Sequence, residues 1–123
     1  ICSDLSVPHP SYYRPSLRYK ARDGFLPLGP WILAARHVPN PDALDVVVQI
    51  DGREAQRYST AGMQRGVARL IAEVSSFMTL ARGDLLMLGA GPAAPRAQAG
   101  QTVRIIIEPI GTLEHRLVKE SSA

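Results

Sequence analysis

The chain has 123 residues, 46% hydrophobic and 20% charged, with a formal net charge of +3; this supports one folded domain and excludes a disordered tract, a collagen-like repeat or a coiled coil. No run approaches the roughly 18–20 apolar residues that span a bilayer, and the opening Ile1-Cys2-Ser3-Asp4 lacks the basic-then-apolar pattern of a secretory signal, so no membrane partner is expected. The lone Cys2 can form neither an internal disulfide nor a thiolate zinc site, which points to a reducing compartment and the cytoplasm, and the interleaving of Lys and Arg with Asp and Glu argues against nucleic acid.

The chain begins with Ile rather than Met, and residues 1–6 read as the end of a strand already under way. Residues 1–123 are therefore expected to form one catalytic-type domain of a longer chain. Pro8, Pro10, Pro15, Pro27, Pro30, Pro39 and Pro41 are seven of the ten prolines; each fixes φ and removes a donor, so residues 7–41 are expected as ordered loop rather than helix. Residues 44–50 are rich in β-branched side chains and are followed by Asp51-Gly52, a hairpin signal, with residues 53–58 returning as the partner strand. Apolar positions Met63, Val67, Leu70, Ile71, Val74, Phe77 and Met78 recur at three and four and predict an amphipathic helix from Met63 onward. Ser59 or Thr60 is its expected cap, Gly66 an interior cost of about 1 kcal/mol, and Met63, Phe77 and Met78 core. Arg82-Gly83-Asp84 predicts a turn into a short buried strand at residues 85–88. A Gly, Ala and Pro loop at residues 89–100 precedes a final strand pair at 102–108 and 113–118.

Arg14, Arg18, Lys20 and Arg22 form the one dense cationic cluster. It either converges on an anionic substrate through charge-assisted hydrogen bonds or is a solvated basic surface with Asp23 as partner. Tyr12, Tyr13 and Tyr19, interleaved with these charges, are read as anchors of the loop. Asp4 is a hard oxygen donor suited to a cation such as Mg²⁺, or simply a turn residue. His9, His37 and His115 show no zinc-ligand spacing, and His37 and His115 read as surface residues. No nucleophile elbow, dinucleotide loop or phosphate loop is present.

Taken together, SDLSVPHPSYYRP (residues 3–15), KARDGFLPLGPWI (20–32), the Asp-Gly hairpin, STAGMQRGVARLIAEVSSFMTLARGDLLMLG (59–89) and AGQTVRIIIEPIGTLEHRLV (99–118) resemble the fumarylacetoacetate hydrolase superfamily. Within it they are most similar to the isomerase/decarboxylases of 4-hydroxyphenylacetate (homoprotocatechuate) breakdown. The resemblance implies a mixed α+β, β-rich fold, the fumarylacetoacetate hydrolase-like C-terminal domain. It also implies Mg²⁺ or Mn²⁺ held by two glutamates, expected upstream of Ile1, and one aspartate. Asp4 occupies the aspartate position, with Ser3 where Asn is usual.

By the same resemblance Lys20, seven residues before Pro27, is the active-site lysine, and Thr60 of Ser59-Thr60-Ala61-Gly62-Met63 approaches the substrate. The usual Thr-Gly-Thr-Pro loop is replaced by Leu88-Gly89-Ala90-Gly91. The implied chemistry is decarboxylation and isomerisation of a 2-oxo di- or tricarboxylic acid, with Arg14, Arg18 and Arg22 as candidates for the remote carboxylates and His9 as a proton carrier. A C–C hydrolase of an acylpyruvate is the alternative reaction. A non-catalytic paralogue serving as a structural subunit is the alternative from another class, favoured by the departures at Ser3 and Ala90. A homodimer or higher oligomer is expected from the family.

Overall fold

The Asp51-Gly52 turn sets the hand of the first hairpin. In the computed structural model, which describes residues 1–9 and 17–120, both residues take left-handed backbone (φ 50° and 77°), the twist that lets two strands fold back without splaying. The turn joins β1 (Asp45–Ile50) to β2 (Arg53–Ser59), and a second hairpin joins β3 (Thr102–Ile107) to β4 (Gly111–Arg116). The two hairpins meet through an antiparallel β1–β3 pairing, giving one four-stranded sheet of order β2-β1-β3-β4. Asp51 also reaches across the seam: its carboxylate accepts from the Thr102 amide at 2.9 Å and the Gln101 side chain at 2.8 Å, and these bonds hold it below the usual carboxylate range.

Register decides which face carries the core. Val46 pairs with Ile107, Ile105 with Leu113 and Val103 with His115, so alternation puts Val46, Val103, Leu113 and His115 on one side of the sheet. Val46, Val103 and Leu113 are the buried apolar residues among those described. The opposite side carries charge, with Arg104 bonded to Glu114 next to it in register.

The N-terminal segment and residues 25–29 lie over the apolar face as a narrow two-strand ribbon. The Ser3 amide donates to the Pro27 carbonyl, Leu5 to Phe25 and Gly29 to Ile1, each at 3.0 Å. Gly29 and Gly111 mark where this layer rests on the sheet: a Cβ at Gly29 would stand 3.4 Å from Leu113, and one at Gly111 would stand 3.2 Å from Pro30. The chain between the two ribbon strands includes the single turn α1 (Leu17–Lys20).

Both predicted hairpins are present, whereas the helix is shorter than its apolar period. α2 spans Val67–Ser75, and the residues from Thr60 to Gly62 form a separate 3₁₀ turn capped by Ser59, whose hydroxyl accepts from Ala61. Gly66 is not interior to the helix but is its N-cap residue. The first helical amide, at Val67, is satisfied instead by Asp42 Oδ1 at 2.8 Å, and a Cβ at Gly66 would come within 2.6 Å of the same carboxylate. A side chain at Gly66 would push that carboxylate away from the amide it caps.

Two further expectations are corrected. Residues 85–88 form no strand among the described residues, and all four are exposed. β2 is the sheet edge, but its exposed side does not pair with them. Phe77 and Met78 are exposed and Met63 only half-buried, so the apolar stripe of α2 has little to pack on among the described residues.

Candidate active site

Asp4 and Lys20 are sixteen positions apart, yet Lys20 Nζ donates to Asp4 Oδ2 at 2.6 Å. Ribbon geometry brings them together. Asp4 lies between Ser3 and Leu5, both bonded to the neighbouring ribbon strand, so its side chain points opposite to buried Ser3. Lys20 is the last residue of α1, held close by the Val7 amide donating to the Tyr19 carbonyl at 2.8 Å. Their side chains are 35% and 41% exposed, so the ion pair adds on the order of 0–1 kcal/mol to stability; its placement is the more telling property.

The pair opens on a cavity of about 370 Å³. Asp4, Lys20, Arg22 and Asp23 give it a charged side, while Leu17, Phe25, Leu26 and Met87 give it an apolar wall. Such a mixture suits a small organic acid: charge at the functional groups, hydrocarbon along the carbon chain. Arg22 lies over the Phe25 ring at 5.5 Å, and its Nη2 reaches both oxygens of Glu120 at 2.6 and 2.5 Å. The guanidinium on the cavity wall is thus already gripping a carboxylate.

Of the residues singled out in the sequence, the structure gathers Asp4, Lys20 and Arg22 around one cavity. It does not gather the others. His9 is stacked on Tyr19 at 4.8 Å between ring centres, and Arg18 lies 5.3 Å over the same Tyr19 ring; neither lines the cavity. Thr60 is also elsewhere, its hydroxyl donating to the Pro41 carbonyl and accepting from the Leu44 amide, both at 2.8 Å. Arg14, with Tyr12 and Tyr13, lies outside the described residues.

Sequence reasoning missed two features. Met87 contributes to the wall from the segment expected to be a buried strand. His115, read as a surface residue, is half-buried, and its Nε2 lies 2.9 Å from the Ser3 hydroxyl. Burial pushes its imidazole below its ordinary pKa. The alternation Leu113, Glu114, His115 was the available signal, since it puts His115 on the face of Leu113.

The donor set meets part of what a divalent cation needs. Asp4 offers the hard carboxylate oxygen that Mg²⁺ and Mn²⁺ prefer, and such ions use one or two carboxylates together with water and substrate. Among the described residues no three His, Cys, Asp or Glu side chains cluster as a metal site. The residues therefore fit one corner of an oxygen-ligated site.

A β-rich sheet roofed by a ribbon, with a carboxylate and an ammonium meeting over a cavity, has a known counterpart. Residues 2–118 match the family model described as fumarylacetoacetate (FAA) hydrolase C-terminal, and the chain belongs to that family. It is 38% identical over 120 residues to the 4-hydroxyphenylacetate degradation bifunctional isomerase/decarboxylase of Escherichia coli, an alignment covering 98% of this chain and 27% of that protein. It is similar to the crystal structure of maleylpyruvate hydrolase from Sphingobium sp. SYK-6 in complex with manganese(II) ion and pyruvate, with a TM-score of 0.82, 29% identity, and coverage of 89% of this chain and 41% of that one. For 5-carboxymethyl-2-hydroxymuconate delta-isomerase from Mycobacterium smegmatis the TM-score is 0.80 at 31% identity, covering 88% and 42%. The expected mixed α+β, β-rich architecture is the one present. The chain spans about a quarter of the curated relative's length. No helix among the described residues is long and apolar enough to cross a membrane.

Proposed function

We propose that this chain forms the substrate-facing domain of an enzyme that decarboxylates and isomerises a 2-oxo di- or tricarboxylic acid in aromatic catabolism, with a divalent cation held in part by Asp4. The observation that carries this reading is the meeting of Asp4, Lys20 and Arg22 on one cavity with an apolar wall. Identity to an isomerase/decarboxylase over nearly the whole chain supports the reaction class, and a manganese- and pyruvate-bound relative supports the cation and the 2-oxo acid. The remaining metal ligands are assigned to residues outside this chain. Residues 7–41 are assigned as its active-site loop region.

When bound, the cation withdraws charge from the 2-oxo group. The chain's own residues supply the rest. Lys20, an ammonium beside the metal-side carboxylate, donates to the oxygen on which negative charge accumulates as CO₂ departs or a proton shifts between carbons. Arg22 exchanges Glu120 for a remote substrate carboxylate, so that binding energy at that end orients the reacting end. Leu17, Phe25, Leu26 and Met87 line the path of the carbon chain.

A C–C hydrolase is the second reading, favoured by the likeness to maleylpyruvate hydrolase. Product analysis on the full-length protein decides: CO₂ with an isomerised acid is expected, whereas two acids and no CO₂ would establish hydrolysis. Absence of both products would favour a non-catalytic subunit. Self-association into at least a dimer is part of the proposal, supported by exposed Trp31 and Ile32, the latter 96% accessible. Light scattering tests it.

A further inference from the structure

We infer that His115, acting through Ser3, is a positioning residue that sets the direction of the Asp4 carboxylate and so the affinity of the site for its divalent cation. The inference rests on the reading of Asp4 as a metal ligand. Ser3 is the buried polar residue among those described, 5% exposed, and it immediately precedes Asp4 on an extended segment. Side chains of neighbouring residues on such a segment point to opposite sides. Ser3 therefore faces the sheet while Asp4 faces the cavity, and any roll of the segment that moves one moves the other.

The ribbon's own backbone bonds, Ser3 to Pro27 and Leu5 to Phe25, tie Asp4 only to residues 25–27, another part of the same overlying layer. Among the described residues the Ser3 hydroxyl bonds this strand to the sheet, through His115 Nε2 at 2.9 Å and across 112 residues of sequence. His115 itself stands on β4, opposite buried Val103 and two residues from buried Leu113, a rigid base. Groups hydrogen-bonded to a metal ligand commonly alter affinity by about 10–100-fold when removed, because they fix its orientation; Ser3 and His115 act one step further out, through the backbone that carries Asp4, so the lower end of that range applies.

The test is Mn²⁺ titration of the full-length protein, followed by electron paramagnetic resonance, for Ser3→Ala, His115→Phe, the double variant and His115→Gln, with Asp4→Ala alongside. Circular dichroism checks that each is folded; Ser3→Ala removes a single oxygen and keeps the backbone ladder. Either single variant should weaken Mn²⁺ binding by about tenfold, and the double should be no weaker than the worse single, since both remove one bond. His115→Gln, whose amide nitrogen can reach the same hydroxyl, should restore binding to within about threefold, a rescue that simple loss of packing would not produce. Wild-type affinity in folded Ser3→Ala and His115→Phe, with Asp4→Ala impaired, would overturn the positioning role alone. Wild-type affinity in Asp4→Ala would overturn the ligand assignment and the inference together.

Discussion

The Lys20 ammonium sits 2.6 Å from the Asp4 carboxylate although each belongs to a different segment of the layer above the sheet. An exposed pair of this kind does little for folding, so removing it should separate activity from stability. Lys20→Met in the full-length protein is expected to lower kcat by roughly tenfold or more while moving the free energy of unfolding by less than about 1 kcal/mol. Steady-state kinetics and urea titration measure the two; undiminished kcat would remove Lys20 from the chemistry.

Gly66 and Asp42 give a prediction whose sign opposes the usual rule. Alanine in place of an interior helical glycine stabilises by about 1 kcal/mol. At Gly66 the added carbon meets Asp42 Oδ2 at 2.6 Å and displaces the cap of Val67. Gly66→Ala and Asp42→Ala should each destabilise by about 0.5–2 kcal/mol, the range for a lost N-cap. Stabilisation by Gly66→Ala in urea unfolding would refute this account of the helix start.

Gly91 lies against Tyr58, where a Cβ would stand 2.6 Å from ring atom Cδ1. The loop at residues 89–100 is also pinned to β2 by the Gln56 amide donating to the Pro92 carbonyl at 2.7 Å. Gly91→Ala should cost about 1–3 kcal/mol through overpacking, and pairing it with Tyr58→Ala should recover part of that loss. A strictly additive double variant would show that the two residues do not meet.

His115 makes folding depend on pH. Burial lowers its pKa in the folded state, so below the ordinary value of 6.5 the unfolded chain binds more protons than the folded one. Stability from this group is complete above that value and is lost as pH falls toward and through the lowered folded-state pKa. Unfolding free energy should decrease between pH 7 and 5, and His115→Gln should flatten part of that slope. An unchanged slope in the variant would assign the dependence to other groups.

How far the sequence could be read follows from the range of each interaction. The hairpins were legible because their signals are adjacent: a β-branched run ending at Asp51-Gly52, and strand-like runs on either side of Pro109. The start of α2 was not, since its cap comes from Asp42, 25 positions upstream, and the three-and-four spacing of Met63 with Val67 continues past the real boundary. The run at 85–88 has the composition of a strand, but pairing is set by a neighbour that composition does not reveal. At the cavity, Asp4 stands out as a hard donor and Lys20 as part of a cationic cluster, family resemblance gives them roles, and only the folded ribbon brings them to one place. The Ser3–His115 bond spans nearly the entire chain and leaves no local mark.

The order β2-β1-β3-β4 carries a kinetic consequence. Each hairpin closes over a few residues and can assemble on the microsecond scale, but Val48 must find Ile105 across α2 and the long glycine-rich connection. That single seam joins the halves of the sheet, so its closure is the slow event, governed by chain entropy rather than by either turn. Lengthening the chain between β2 and β3 should therefore retard refolding, while equal insertions after β4 leave the rate nearly unaltered.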